Sequence, residues 1–363
     1  EESINWFDNV ITWEEMVQGY QAPVAEGKMA GDPWNVEGGK AIFPYYCNNH
    51  HFAFQGADGT NPNATWYRSS YPGIGGVESS FNVYREDFDN WCVGHEVGHT
   101  YQQLINLESC KESSNNFYSD LVTWFSGYRM SRGGSIAESV KEFEKNTVYQ
   151  LRDIGNTHRM WYQLFLYYHL AGHKKDFFPT LFNLLREDPV VLRNGHNPNS
   201  GLKMAKMICK AAGEDLTEFL NFWGFFIPYE NVYFGDYTSY TCTITQADID
   251  AVKAEIAKYP KKNNQLIFIE DRIKPVKRFD LHADANNPRK IWRPTHWGSL
   301  FKKGEMGDVG HYTDYMADSL VLGEYTYSLN GTTVTMEGKG GVGFAVYNNE
   351  GKPVTYSNFY TFE

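Results

Sequence analysis

The chain has 363 residues, 42% hydrophobic and 21% charged, a balance that supports a buried core spread over two or three structural units. Its net charge of −11 repels phosphate backbones on average, which excludes nucleic acid as an expected partner. Apolar runs such as FWGFFIP fall far short of the roughly 20 residues a membrane span needs, so no membrane span is expected.

Residues 1–86 read as a β-rich segment. A helix is predicted from Thr12 to Gln21, and the runs AIFPYY, HFAFQG and NATWYRSS are β-prone between Gly, Pro and Asn punctuation. Residues 87–130 carry the most informative string, HEVGH, from His95 to His99. Two imidazoles four residues apart, with a carboxylate after the first, suit a helical face that grips Zn²⁺ with a general base beside it. Positions i and i+4 lie one above the other, so His95 and His99 can share one ion. Glu96 is turned about 100° round the helix, able to reach water on the metal without being a ligand. Two His and one Glu at these offsets arise by chance in about one chain in a hundred, so the flanks decide. No Pro interrupts Asn90 to Leu107, Asp87 or Asp89 can cap the helix, and Trp91, Leu104 and Ile105 supply an apolar stripe. Val93, Gly94, Val97 and Gly98 are small or apolar, which lets the motif lie buried, with a sheet as the expected neighbour.

A catalytic zinc keeps three protein ligands and one open position. The metzincin continuation needs Gly at 102 and His at 105, where this chain has Gln102 and Ile105, so the third ligand is expected to be a carboxylate. Glu112 opens KESSNNFYSDLVTWFSGYRM, in which Phe117, Leu121, Trp124 and Tyr128 recur at helical spacing and Glu112, Asn116 and Ser119 share the opposite, polar face. Such a helix, returning antiparallel, presents Glu112 to the metal. Glu108 is the alternative and needs the first helix to break early. Asn116 is a candidate hydrogen-bond partner for a metal ligand or for the substrate backbone, against an ordinary surface amide.

Helical patterning resumes from Asp153 to Phe226 in THRMWYQLFLYYHL, DFFPTLFNLLRE, GLKMAKMICKAAG and DLTEFLNFWGFF, with breaks at Gly172, Pro189 and Pro198. His158, Tyr162, Tyr168 and His169 are candidates for the donor that stabilises a tetrahedral intermediate opposite Glu96; core packing is the plainer reading. One more helix is predicted over Asp248 to Lys258, followed by the polar stretch KYPKKNNQ. Beyond it, GEYTYSLNGTTVTMEG alternates around Asn330-Gly331, the strongest short hairpin signal, and VGFAVYNNEGKPVTYSN reads as a second hairpin. Trp292, His296 and Trp297 could stack on a sugar or plug a domain interface. Five cysteines without C-x-x-C suggest no second zinc. Cys92 reads as a small buried hydrophobe, and a Cys92–Cys110 bridge stays open.

The expected fold class is α+β. A zincin-like metallopeptidase domain spans 1–263, with a β-rich part at 1–86, metal-binding helices at 87–130 and a helical part at 150–260. A small antiparallel β-domain follows at 264–363.

H-E-x-G-H, followed thirteen residues on by Glu112-Ser113-Ser114-Asn115-Asn116, resembles the enhancin-like zinc metallopeptidases, which include viral enhancins and bacterial mucin-degrading proteases. WYRSSYPGIGG (Trp66 to Gly76), GEDLTEFLNFWGFFIP (Gly213 to Pro228) and the closing VGFAVYNNEGKPVTYSN resemble further segments of that family. The resemblance implies His95, His99 and Glu112 as ligands of one Zn²⁺ and Glu96 as catalytic base. It also implies Tyr71, Trp66 and Arg68 along the cleft, and cleavage of peptide bonds next to O-glycosylated Ser or Thr. The expected protein is thus a zinc endopeptidase acting on mucin-like glycoproteins, a monomer, secreted, periplasmic or attached to a cell surface. Its first residue is Glu and no basic-then-apolar leader is present, which reads as a mature or trimmed form. The alternatives are a general endopeptidase without a glycan requirement and a glycan-binding surface protein whose zinc is structural.

Overall fold

The computed structural model describes Val10, Trp13, Glu14, Val17, Trp91, Gly94, His95 and Gly98, together with residues 101–125, 136–170, 172–190, 197–235, 239–262, 266–268, 283–284, 287–291, 325–338 and 345–356. The β-prone runs before residue 70 and the aromatic stretch at 292–299 lie outside these. Near the N-terminus, Val10, Trp13 and Val17 are helical and buried. Their spacing of three and four puts all three on one face, so the first helix begins ahead of the expected Thr12.

From Lys111 on, the described residues form the α-helices Lys111–Ser114, Asn116–Phe125, Ile136–Glu144, Ile154–Leu164, Phe177–Glu187, Ser200–Ala212, Thr217–Phe222 and Gln246–Ile256. Ile154–Leu164 runs on as a π-helical turn, Phe165–Leu170. The core is aromatic at its centre. Phe117 stacks on Phe178 with ring centroids 5.0 Å apart and meets Phe165 edge-on at 6.3 Å. Phe177, Phe178, Leu181, Phe182 and Leu185 line the buried face of one helix. Each such side chain contributes about 1.5–3 kcal/mol by leaving water. Gln163 ties three segments together inside this core: Trp223 Nε1 donates to Gln163 Oε1 at 3.0 Å, and Gln163 Nε2 donates to the Ile267 carbonyl at 3.0 Å. The helix Gln246–Ile256 starts two residues before the predicted Asp248, because Thr245 and Asp248 close a reciprocal capping box.

The strands form four two-stranded antiparallel sheets among the described residues. Tyr325–Asn330 pairs with Thr333–Gly338 through the Asn330-Gly331 turn, and Ala345–Tyr347 pairs with Pro353–Tyr356; both match the two expected hairpins. Tyr229–Gly235 with Ser239–Ile244 is a hairpin the sequence reading does not contain, and so is the helix Ile136–Glu144. Ala283–Asp284 pairs with Asn287–Ile291. The closing hairpin rests on the helices: buried Tyr356 meets Phe222 and Phe143 edge-on at 5.0 and 5.2 Å, and the Tyr347 hydroxyl donates to Glu218. The architecture is therefore mixed, helices with small antiparallel sheets.

Candidate functional site

The chain is helical at Trp91, Gly94, His95, Gly98 and Tyr101 and tightens into a 3₁₀ turn at Gln102–Leu104. It then reverses and re-enters helix at Lys111–Ser114, breaks at Asn115 and continues as Asn116–Phe125. Contacts at rising numbers on the first arm meet falling numbers on the second, so the two arms run antiparallel. Two glycines set how closely they approach. A Cβ on Gly94 would stand 2.9 Å from Ser119 Cα, and one on Gly98 would stand 2.9 Å from Tyr118 Cβ and 3.0 Å from the Asn115 carbonyl oxygen. The neighbour of these small residues is a helix, not the expected sheet. Two hydrogen bonds fasten the far end: Tyr118 OH to the Tyr101 carbonyl at 2.9 Å and Ser114 Oγ to Gln102 Oε1 at 2.7 Å.

This close packing focuses three residues on His95. Glu112 Oε2 lies 3.3 Å from His95 Nε2. Asn116 Oδ1 lies 2.6 Å from His95 Nδ1, and Asn115 Nδ2 donates to the His95 carbonyl at 3.1 Å. Trp91, one turn earlier, stacks on the imidazole with centroids 5.2 Å apart and 26° between planes. Asn115 and Asn116 are buried, whereas the His95 and Glu112 side chains are 16% and 32% exposed. The imidazole and carboxylate thus meet at a spot open to solvent, on a floor of buried amides. Asn115 has no role in the sequence reading; its only signal there is its place between Glu112 and Asn116.

Glu108, the alternative ligand, is engaged elsewhere. Its Oε2 accepts from the Ser200 hydroxyl and, at 3.2 Å, from Gln150 Nε2. Burial first, and then this carboxylate, push the Cys242 thiol above its ordinary pKa. Of the candidates for a transition-state donor, His158, Tyr162 and Tyr168 are core residues and His169 is half-buried. His158 Nε2 sits 3.3 Å from Asp120 Oδ2, with side chains 1% and 0% exposed. Tyr162 and Tyr168 are buried, and burial, with Glu214 alongside, raises the Tyr168 hydroxyl far above its usual range. His169 stacks on Phe165 at 5.0 Å, and burial lowers its pKa against the raising effect of the Lys175 carbonyl. Cys110 is buried. Glu96, His99, Tyr71, Trp66, Arg68 and Cys92 lie outside the described residues. Among the described residues two candidate ligands meet, and no group of three His, Cys, Asp or Glu does.

Residues 62–224 match the family model for peptidase M60, enhancin and enhancin-like, and residues 324–363 match the model for the peptidase M60 C-terminal domain. Comparison with curated protein sequences gives no match. Among solved structures, the chain is similar to a metallopeptidase in complex with Tn antigen, at 25% identity and TM-score 0.68 over 99% of this chain and 62% of that one. It is also similar to a metallopeptidase from Bacteroides thetaiotaomicron, at 24% identity and TM-score 0.69 over 99% of this chain and 56% of that one. The chain therefore spans less than two thirds of the length of either relative.

Proposed function

The chain belongs to the enhancin and enhancin-like peptidase family M60, and from that premise we propose that it is a zinc-dependent endopeptidase acting on extracellular, O-glycosylated proteins. His95, His99 and Glu112 hold the ion in this reading, within a zincin-like domain over 1–263, and Glu96 is the general base. The observation that carries it is that His95 Nε2 and Glu112 Oε2 come within 3.3 Å of each other where solvent reaches both side chains, 16% and 32% exposed. Two ligands roughly 2.0–2.1 Å from one tetrahedral ion stand about 3.3–3.4 Å apart. A charge-assisted N–H···O bond closes instead to about 2.7–2.9 Å. The donor set therefore fits zinc, and the open side of the pair leaves room for water and substrate.

A bound zinc ion supplies Lewis-acid polarisation of a carbonyl and brings the pKa of water toward about 7. The chain's own contributions are positional and protonic. Glu96 accepts a proton from the attacking water and returns it to the leaving amine. The buried amides of Asn115 and Asn116 keep His95 in place through the cycle. Tyr71 and the aromatic residues near it are assigned to the substrate side. A glycan-bearing substrate is supported by the solved relative in complex with Tn antigen. No helix among the described residues is long and apolar enough to cross a membrane. A secreted, periplasmic or surface-attached location is the one in which such a substrate is met.

The test pairs metal content with cleavage. The purified chain is expected to carry one zinc and to cut an O-glycosylated Ser/Thr peptide faster than its bare counterpart. Chelation should stop both reactions, and Glu96→Ala should stop cleavage with zinc retained. Equal rates on the two peptides would reduce the proposal to a general endopeptidase.

A further inference from the structure

We infer that Asn115 and Asn116 form a two-point clamp on His95, and that Asn116 is a positioning residue that fixes the imidazole in its Nδ1–H tautomer with the Nε2 lone pair turned to Glu112. The metal-binding consequence rests on the function proposed above; the tautomer does not.

The clamp follows from where the helix breaks. Asn115 is the single residue between Lys111–Ser114 and Asn116–Phe125, so two consecutive amides leave that joint toward one target. Asn115 holds the backbone carbonyl of His95 at 3.1 Å, and Asn116 holds its ring at 2.6 Å. Trp91 covers one face of the same ring and opposes rotation about the Cβ–Cγ bond. Glu112, on the turn before the joint, faces the other ring nitrogen. Four side chains thus fix a residue that is itself only 16% exposed.

An amide can meet Nδ1 with either end, and the two choices have opposite results. With Oδ1 toward the ring, Nδ1 carries the proton and Nε2 is bare. With Nδ2 toward the ring, Nδ1 is bare and the proton moves to Nε2, where it occupies the lone pair a metal would need. Oδ1 is the end of the amide turned to the ring, 2.6 Å from Nδ1 and within hydrogen-bonding reach. On the far side, 3.3 Å from Nε2 to the carboxylate is long for a proton shared between them. Both distances select the Nδ1–H form. The partner usual for such a nitrogen is a carboxylate or a backbone carbonyl; here a buried neutral amide takes that place.

The experiment reads ¹⁵N shifts of histidine-labelled full-length protein, zinc removed, at mildly alkaline pH, with His95 assigned by loss of its signals in His95→Gln. The wild type is expected to show a protonated Nδ1 and a bare Nε2 at His95. Asn116→Ala should release that preference and raise the zinc Kd, measured by chelator competition, by about 10–100-fold. Asn116→Asp keeps the acceptor and should restore both. A wild-type Nε2–H tautomer overturns the inference without any variant having to fold. A tautomer that shifts in Asn116→Ala while the zinc Kd stays put overturns the positioning role. If the wild-type chain binds no zinc yet shows the Nδ1–H form, the clamp stands and the metallopeptidase reading falls.

Discussion

Two histidine–carboxylate pairs hang from one segment, their carboxylates eight residues apart, each with 3.3 Å between nitrogen and oxygen. His95–Glu112 has side chains 16% and 32% exposed, and His158–Asp120 has side chains 1% and 0% exposed. Glu112 and Asp120 stand four residues before and four after Asn116, on the two helices that meet at Asn115. The distance alone therefore does not mark a site. The outer pair has an open side and a buried amide behind its ring. The inner pair is enclosed by helices and belongs to the core. Solvent access and the group behind the imidazole separate a candidate ligand from a structural contact.

Breaking the outer pair should have the largest effect. Glu112→Ala is expected to weaken zinc binding by more than roughly 100-fold, beyond the about 10–100-fold cost of losing an outer hydrogen-bond partner. Its melting temperature in zinc-free buffer should barely move, since the side chain is a third exposed. Retained stoichiometric zinc would remove Glu112 as a ligand. Breaking the inner pair should reverse the pattern. Asp120→Ala strips a buried carboxylate from His158 and is expected to cost about 1–3 kcal/mol of stability, read from the denaturant midpoint. Zinc affinity of the folded protein should be unchanged.

The outer pair was legible because its chemistry fixes residue types at fixed offsets. HEVGH and the choice of a carboxylate near residue 112 need only helix geometry and the ligand count of zinc. The inner pair was less legible: His158 drew attention as a possible donor, but nothing in THRMWYQLF marks its partner as Asp120. Packing that depends on missing atoms is not legible in residue types alone. Gly94 and Gly98 look merely small, and only the approach to Ser119 and Tyr118 shows that they set the helix separation. The hairpin at Tyr229–Gly235 leaves no alternating pattern in the sequence because its register shifts between Tyr229 and Val232, with Asn231 at φ 50°. That irregularity breaks the period-2 alternation on which strand reading depends. Ile136–Glu144 had a usable signal in Val140 and Phe143, which pack toward the core.

Gly98→Ala tests the joint between the two pairs. The added methyl meets Tyr118 Cβ at 2.9 Å and the Asn115 carbonyl at 3.0 Å. Overpacking costs about 1–3 kcal/mol, and alanine returns about 1 kcal/mol of helix propensity. A net loss on the order of 1 kcal/mol is expected. Because Asn115 is one of the atoms pushed, zinc affinity should fall together with stability, unlike the case of Asp120→Ala. A stable variant with wild-type zinc binding would mean that the helix separation does not position the outer pair.

The smallest change discriminates between the two acidic residues first considered as third ligand. Glu108 spends its carboxylate on the Ser200 hydroxyl and on Gln150 Nε2, at the start of the helix Ser200–Ala212, where negative charge is favoured by about 0.3–1 kcal/mol. Glu108→Gln keeps an acceptor of the same shape and loses only the charge. Stability should drop by less than about 1 kcal/mol, and zinc affinity should match the wild type in the same chelator competition that registers Glu112→Ala. If Glu108→Gln loses zinc and Glu112→Ala does not, the two carboxylates exchange roles.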